Sequence, residues 1–175
     1  YEMWCCLVGS EICIRDRCYT AGFSELGSAG QEAEAELVNV AGEMALLGPN
    51  CYGLINYHDQ IALWPFAHGG THPGFGAAVI TQSGMLSSDL TMSQRHLPLS
   101  YMVSVGNQAS LRLEDFIDIF LEERHVRAIG LHIEAIHDTE KFASAAMRAI
   151  EKNIPIVALK TGVSEIGARL TTSHT

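Results

Sequence analysis

Three positions of the sequence carry groups that suit phosphoryl chemistry. Ser83 and Gly84 follow an apolar run and open a helical pattern, and the first N–H groups of a helix can hold phosphate oxygens. Glu134 ends another apolar run, where a partly desolvated carboxylate needs a partner and could orient an imidazole. His174 lies in a polar terminal stretch, where an accessible imidazole can act as a nucleophile.

Each of these groups also has a purely structural interpretation. Ser83 could be an ordinary helix N-cap, Glu134 could help to cap the following helix, and His174 could be an unremarkable terminal residue. The chain contains neither G-x-G-x-x-G nor G-x-x-x-x-G-K-[ST], the two common phosphate-loop motifs. The residues alone therefore leave both interpretations open.

Cysteine and histidine spacings do not favour a metal site. Four of the five cysteines lie in the first eighteen residues, without the paired C-x2-C spacing of zinc sites. Among the eight histidines, only His68 and His72 have a ligand-like spacing, and they lie in a Gly/Pro stretch without a nearby cysteine or carboxylate. We therefore expect no metal ligands and no disulfide framework.

Composition limits the possible partners. The chain has 175 residues, 47% of them hydrophobic and 18% charged, which is enough for one globular domain or one and a part. The net charge of −9 argues against nucleic acid or an anionic membrane as the main partner. Because the chain has no long apolar run and no apolar leader, we expect a soluble, cytoplasmic protein.

Apolar strands alternate with amphipathic helices in the second half of the chain. The pattern predicts strands at 77–81, 101–105, 128–133 and 154–159, and a helix that begins at Ser83 and Gly84. Two further helices have apolar stripes, formed by Leu113, Phe116, Ile117, Phe120 and Leu121, and by Phe142, Ala145, Ala146, Ala149 and Ile150. Continuously apolar strands separated by such helices predict an α/β fold with a parallel sheet covered on both faces.

The fold class also predicts where a site lies. Ligands of open parallel sheets bind beyond the carboxyl ends of the strands. In this sequence those ends are followed by 82–84, 106–107, 134 and 160–162. The residues chosen for their chemistry are therefore expected at one edge of the sheet.

The first part of the chain is less regular. Residues 31–41 are rich in strong helix formers, and Ser28 could cap that helix. We place a connector at 61–76, because this stretch holds His, Pro and Gly without periodicity. The connector divides an N-terminal part, 19–60, from the α/β domain, 77–175. The stretch 6–17 resembles a translated sequencing adapter, and the expectation is that residues 1–18 are a foreign leader.

Several segments together resemble a known family. They are GPNCYGLIN at 48–56, ITQSG at 80–84, VSVGN at 103–107, LKTGVSE at 159–165 and SHT at 173–175. In this order and spacing they resemble the α-part of NDP-forming acyl-CoA synthetases, relatives of the succinyl-CoA synthetase α subunit, over about residues 19–175. The resemblance implies a flavodoxin-like, succinyl-CoA synthetase-like domain, preceded by the C-terminal part of a Rossmann-like CoA-binding domain.

The resemblance also implies an activity. Enzymes of this family interconvert acyl-CoA, NDP and phosphate with a carboxylic acid, CoA and NTP, through an acyl phosphate and a phosphohistidine. His174 matches the phosphorylated histidine, and Glu134 matches the carboxylate that positions it. The matching phosphate-binding residues are Ser83, Gly84 and Met85, and the matching CoA-binding residues are Tyr19, Thr20, Ala21 and Asn50.

Departures from the family pattern qualify these expectations. Ser88 stands where the succinyl enzymes have a substrate-associated tyrosine, so a succinate preference is not implied. The ATP-grasp part that binds ATP/ADP with Mg²⁺ and the opening βαβ of the CoA-binding domain are absent. We therefore expect an inactive fragment of a larger, oligomeric enzyme, in which an ATP-grasp domain or β subunit is the partner.

Two other functions fit the same module. One is a CoA-binding regulatory module of a protein lysine acetyltransferase, although such relatives tend to lose the histidine that this chain retains. The other is a non-catalytic acyl-CoA-sensing module.

Overall fold

The computed structural model describes residues 14–71, 73–93 and 97–163. A 3-10 turn at Ser24–Leu26 precedes the first helix. The helices are α1 (Ser28–Ala41), α2 (Gly84–Met92), α3 (Leu113–Glu122) and α4 (Thr139–Glu151). The strands are β1 (Ile14–Arg17), β2 (Ala45–Leu47), β3 (Gly53–Asn56), β4 (Ile61–Leu63), β5 (Gly76–Thr81), β6 (Leu99–Ser104), β7 (Val126–Ile133) and β8 (Ile156–Lys160).

A six-stranded sheet forms the centre of the molecule, in the order β4-β3-β6-β5-β7-β8. Strands β6, β5, β7 and β8 are parallel, which confirms the α/β fold and the predicted parallel sheet. Strands β3 and β4 extend the sheet at one side as an antiparallel pair. The sheet is therefore mixed, and wider than the sequence pattern predicted.

Helices cover both faces of this sheet. Alternate residues of β5 and β6 point to opposite sides, as the pleat of a strand requires. Ile80 and Val103 pack into the larger core with α3 and α4, whereas Val79 and Met102 pack on the other side with Leu90 of α2. The predicted stripe of α3 is buried throughout: Leu113, Phe116, Ile117, Phe120 and Leu121.

Three details of the prediction need correction. The sequence predicts a β8 buried on both faces, but Val157 and Leu159 are 71% and 59% exposed, and β8 has a neighbouring strand on one side only in the described sheet. Ile150 of the α4 stripe is also exposed. Helix α1 has Gly27 at its N-cap, and Ser28 is its first residue.

The chain before the predicted domain is also part of the fold. Strand β1, which lies within the predicted leader 1–18, pairs with β2 in a small parallel sheet. Strand β4 lies in the stretch that was expected to be a connector. The division into 19–60, 61–76 and 77–175 stays a prediction, but β3 and β4 belong to the central sheet. Within the described ranges, no helix is long and apolar enough to cross a membrane.

Candidate functional site

The strand order places a change of chain direction at the carboxyl edge of the sheet. From β5 the chain passes through α2 to β6 on one side, and then through α3 back across β5 to β7 on the other side. This reversal is a topological switch point, where the connections diverge and leave room for a ligand. The segment 82–84 follows β5 and Glu134 follows β7, so the two candidate segments flank the switch point.

Ser83 is the N-cap of α2. Its Oγ accepts a hydrogen bond from the N–H of Leu86 at 3.3 Å. Thr81 braces the turn, because its Oγ1 accepts from the N–H of Ser83 at 3.0 Å and donates to the Ser83 carbonyl at 3.2 Å. The N–H groups of Gly84 and Met85 have no acceptor within the helix, and the first turn contains no acidic residue. This helix start can therefore accept an anion.

An aromatic ring lies against the same helix start. A Cβ at Gly84 would come within 2.9 Å of the Tyr52 ring, so the absence of a side chain at residue 84 allows this close approach. Tyr52 is held by Trp64 and Phe66, whose ring centroids lie 6.0 and 5.0 Å from its own. Tyr19 flanks it at 6.0 Å. A cluster of aromatic side chains therefore lies beside the candidate phosphate site.

Gly84→Ala is expected to destabilise the chain by about 1–3 kcal/mol, as overpacking of a close contact does. The Tyr52 ring cannot move away freely, because Trp64 and Phe66 pack against it. Urea unfolding of the variant measures the loss. Tyr52→Leu should remove the clash, so the double variant should lose less than the sum of the two single changes.

Gly69→Ala is the matched control for this prediction. A Cβ at Gly69 would make only an ordinary contact, at 3.5 Å, with the carbonyl of Thr91. Its effect is expected to stay within about 0.5 kcal/mol. Equal losses in the two alanine variants would contradict the proposed clash at Tyr52.

Glu134 lies half-buried directly after β7. The Gln82 side chain accepts a hydrogen bond from its N–H, and Lys160 Nζ donates to its carbonyl oxygen at 2.8 Å. Its neighbours in space are therefore the ends of β5 and β8. The structure brings Glu134 to the same edge as Ser83, as the sequence predicted.

The candidate CoA-binding residues lie together, on the side of the helix start where Tyr52 packs. They are Tyr19, Thr20, Ala21 and Asn50. The N–H of Asn50 donates to the carbonyl of Thr20 at 3.0 Å. Tyr19, Thr20 and Ala21 are all exposed. Since Asn50 and Tyr52 are separated by one residue, this segment connects the candidate CoA-binding residues to the helix start at Gly84.

Asn107 joins the N-terminal part to the sheet. It is 4% exposed, and its Oδ1 accepts from Asn50 Nδ2 at 3.2 Å. Its Nδ2 lies within hydrogen-bond distance of Ser24 Oγ at 3.0 Å, Glu25 Oε2 at 2.6 Å and Glu34 Oε2 at 3.0 Å. Asn107 therefore fixes the position of the segment that carries the candidate CoA-binding residues.

The pKa of Glu25 reflects this arrangement. Partial burial acts to raise the pKa of its carboxyl group, but hydrogen bonds from the Gly22 N–H and the Asn107 amide outweigh that effect and hold the pKa below its ordinary value. Glu25 is therefore ionised at neutral pH and accepts these hydrogen bonds.

His174 lies outside the described residues. The chain that continues toward it leaves the sheet next to Glu134: the N–H of Thr161 donates to the Ile133 carbonyl at 2.9 Å. His132 lies between two hydroxyl groups, with Nδ1 at 3.2 Å from Thr81 Oγ1 and Nε2 at 3.3 Å from Thr161 Oγ1. This buried imidazole links the end of β5 to the start of the segment that leads to His174.

Cys51 is a buried structural thiol. The thiol of Cys51 donates to the carbonyls of Leu47 and Cys18 at 3.5 and 3.6 Å. Burial raises the pKa of Cys51 to about 12, so it stays a thiol at neutral pH. The described part of the chain contains no group of three or more side chains that could hold a metal ion. His72 lies outside it, so the pair with His68 is not tested.

The sequence predicted that some of these residues lie near the site, but not which hydrogen bonds their side chains form. The strand-end rule included 82, 107 and 160, but the hydrogen bonds of their side chains depend on segments far away in the sequence. It missed Tyr52 and His132. Tyr52 could be found only through the GPNCYGLIN segment, and His132 lies inside a strand whose other residues signal only burial.

Fold and site together define an α/β protein of the flavodoxin-like class, with an anion-accepting helix start and the residue Glu134 on either side of the switch point. Residues 75–175 match the family model described as the succinyl-CoA ligase like flavodoxin domain. The chain belongs to this family.

Relatives and solved structures agree with this assignment. The chain is 36% identical over 162 residues to the α subunit of acetate–CoA ligase (ADP-forming) II of Pyrococcus furiosus, covering 89% of this chain and 34% of that protein. It is 32% identical over 164 residues to a trans-feruloyl-CoA synthase from an unknown prokaryotic organism, covering 90% and 23%. These relatives are named as enzymes that join acids to CoA.

The same likeness holds for solved structures. A dinucleotide-forming acetyl-coenzyme A synthetase of Candidatus Korarchaeum cryptofilum, in its apo form, has a TM-score of 0.77 at 31% identity, over 91% of this chain and 35% of that one. A structure of that enzyme in complex with phosphate and ADP has a TM-score of 0.73 at 31% identity, over 90% and 34%. The chain thus spans about a third of the length of the P. furiosus subunit and of the solved structures, and about a quarter of the feruloyl-CoA synthase.

Proposed function

We propose that this chain is part of an acid–CoA ligase of the NDP-forming type, and that it handles the acyl group and the phosphate. The reaction interconverts acyl-CoA, NDP and phosphate with a carboxylic acid, CoA and NTP. The relatives named above support the ligase class. The acyl-phosphate and phosphohistidine route is what the resemblance to NDP-forming acyl-CoA synthetases implies for this chain.

The chemistry divides into three steps. A phosphate oxygen attacks the thioester carbon, the C–S bond breaks, and CoA leaves as a thiol after taking a proton. A nitrogen of the His174 imidazole then attacks phosphorus, and the P–O bond to the acyl oxygen breaks to release the carboxylate. NDP finally takes the phosphoryl group from the histidine and becomes NTP.

One observation carries the proposal: the helix start at Ser83 and the residue Glu134, directly after β7, flank one switch point. Phosphate needs N–H donors and an absence of competing negative charge, which the first turn of α2 provides. The imidazole needs a carboxylate that fixes its tautomer and supports the positive charge it gains on phosphorylation, which is the proposed role of Glu134.

The acyl-CoA would approach from the side of the N-terminal part. Tyr19, Thr20 and Asn50 lie there together, and Tyr52 carries the apolar surface on to Gly84. We propose that this path holds the thioester end of CoA, with the acyl carbon beside the helix start.

We propose that the nucleotide and Mg²⁺ bind to an ATP-grasp domain or β subunit, in an oligomeric enzyme. The P. furiosus relative is named as an α subunit, which supports a partner. The described residues contain no metal-ligating cluster, and the sequence has no phosphate-loop motif for a nucleotide.

Phosphoryl labelling of the complete enzyme tests the proposal. Incubation with γ-labelled ATP and Mg²⁺ should give a phosphoprotein that is stable in base and labile in acid, as phosphohistidine is, and mass spectrometry should place it at His174. Addition of carboxylic acid and CoA should discharge the label. A labelled enzyme without modification of His174 would refute the assignment.

A further inference from the structure

The side chain of Gln82 forms hydrogen bonds with the backbone that follows β7. It is 1% exposed. Its Oε1 accepts hydrogen bonds from the N–H of Glu134 and, at 2.8 Å, from the N–H of Ala135. Its Nε2 donates to the carbonyl of Ala135 at 2.6 Å. One amide group thus satisfies three backbone groups of the segment that carries the proposed carboxylate.

These hydrogen bonds continue the pairing of β5 with β7 beyond its end. The strand register ends at Thr81, opposite His132, and the N–H of Gln82 lies 3.4 Å from the His132 carbonyl. If β5 were longer, its backbone would pair with the residues after His132. Here the Gln82 side chain forms those hydrogen bonds instead, with the backbone of Glu134 and Ala135. Lys160 holds the Glu134 carbonyl from the β8 side at 2.8 Å. The backbone of Glu134 is therefore fixed from both neighbouring strands.

We propose that Gln82 is a positioning residue for phosphoryl transfer, which fixes the backbone of Glu134 so that its carboxylate meets the imidazole of His174. This inference rests on the proposed function. The side chain of glutamate has a limited reach, so the positions that its carboxylate can occupy depend on where its backbone is held. A displacement of about 1 Å in a reacting group can cost about 100-fold in rate.

A neutral amide suits this role. It can accept from two N–H groups and donate to a carbonyl at the same time. A carboxylate at residue 82 could accept the same two hydrogen bonds, but it would face the Ala135 carbonyl without a proton to donate. It would also bring a negative charge close to the proposed phosphate site.

Asn56 provides a matched control in the same sheet. It is also 1% exposed, and its Oδ1 accepts from the N–H groups of His58 and Asp59 at 3.0 and 3.1 Å. It pairs with Tyr101 in the first half of β6, toward the edge opposite Glu134. Asn56→Leu therefore removes a similar amide clamp without touching the candidate site.

The experiment compares Gln82→Leu with Asn56→Leu in the complete enzyme. Gln82→Leu is expected to slow phosphorylation of His174 by about 10- to 100-fold and to speed hydrogen exchange at residues 134–135. Asn56→Leu is expected to keep the labelling rate within about twofold, although both variants lose some stability. In a Glu134→Gln background, Gln82→Leu should cost no more than a further twofold, because both changes act through one group.

Two results would overturn the inference: a wild-type labelling rate in Gln82→Leu despite faster exchange at 134–135, or fully multiplicative losses in the double variant. If Gln82→Leu does not fold, Gln82→Glu replaces it, and a folded Gln82→Glu with wild-type labelling would overturn the inference equally. Failure of the proposed function looks different, because the wild-type enzyme would then carry no label on His174.

Discussion

His174→Ala in the complete enzyme is expected to abolish the acid-labile label and to lower acyl-CoA synthesis by at least about 10⁴-fold, because a covalent carrier has no substitute in the route. The first step does not use the imidazole. The variant should therefore still form acyl phosphate from acyl-CoA and phosphate, which is measured as release of the free CoA thiol that depends on added phosphate. Loss of one partial reaction with retention of the other is the specific signature of this role.

His68→Ala is the control for this prediction. His68 is exposed and makes an edge contact with the ring of Tyr57, in a loop before β5. Its replacement should leave both the label and the overall rate unchanged. A label that persists in His174→Ala, at whichever residue, would show that the phosphoryl group takes another path.

Glu134→Gln is expected to slow labelling of His174 by about 10²- to 10³-fold, since it removes the charge that would support the positive imidazole. The fold should be retained, because Gln82 and Lys160 bind the backbone N–H and carbonyl of Glu134, which a glutamine at residue 134 keeps. Rapid-quench labelling gives the rate, and thermal unfolding should shift little.

Glu123→Gln is the matched control for this change. Glu123 is also half-buried and accepts a hydrogen bond from the Tyr101 hydroxyl at 3.3 Å, but it lies at the end of α3, before β7. Its labelling rate should match that of the wild type. An unchanged rate in Glu134→Gln would leave the carboxylate with the structural role of a helix-entry residue.

The regular part of the fold was predictable because its signals are local. Periodicity alone identifies the buried face of α3, from Leu113 to Leu121, and the run of apolar residues identifies β5 and β7. Ser83 and Glu134 could be placed at one edge, because parallel strands point their carboxyl ends the same way.

What could not be predicted depends on distant partners. The exposure of Val157 depends on which elements pack against β8, the last strand of the described sheet, and its apolar sequence does not reveal them. The role of Gln82 depends on peptide groups more than fifty positions away. Strands β3 and β4 are too short for periodicity to identify them, and β4 lies in a stretch rich in loop-forming residues.

The pairing of β3 with β6 determines where a truncated form of this protein should begin. The family model begins at residue 75, but every residue of β6 is buried, and β3 occupies its outer hydrogen-bonding edge. A piece cut at the family boundary would leave this apolar edge open, and open edges of that kind recruit strands from other molecules. A soluble piece of the protein should therefore begin before β3. The contacts of Asn107 with Ser24, Glu25 and Glu34 are a reason to keep the N-terminal part as well.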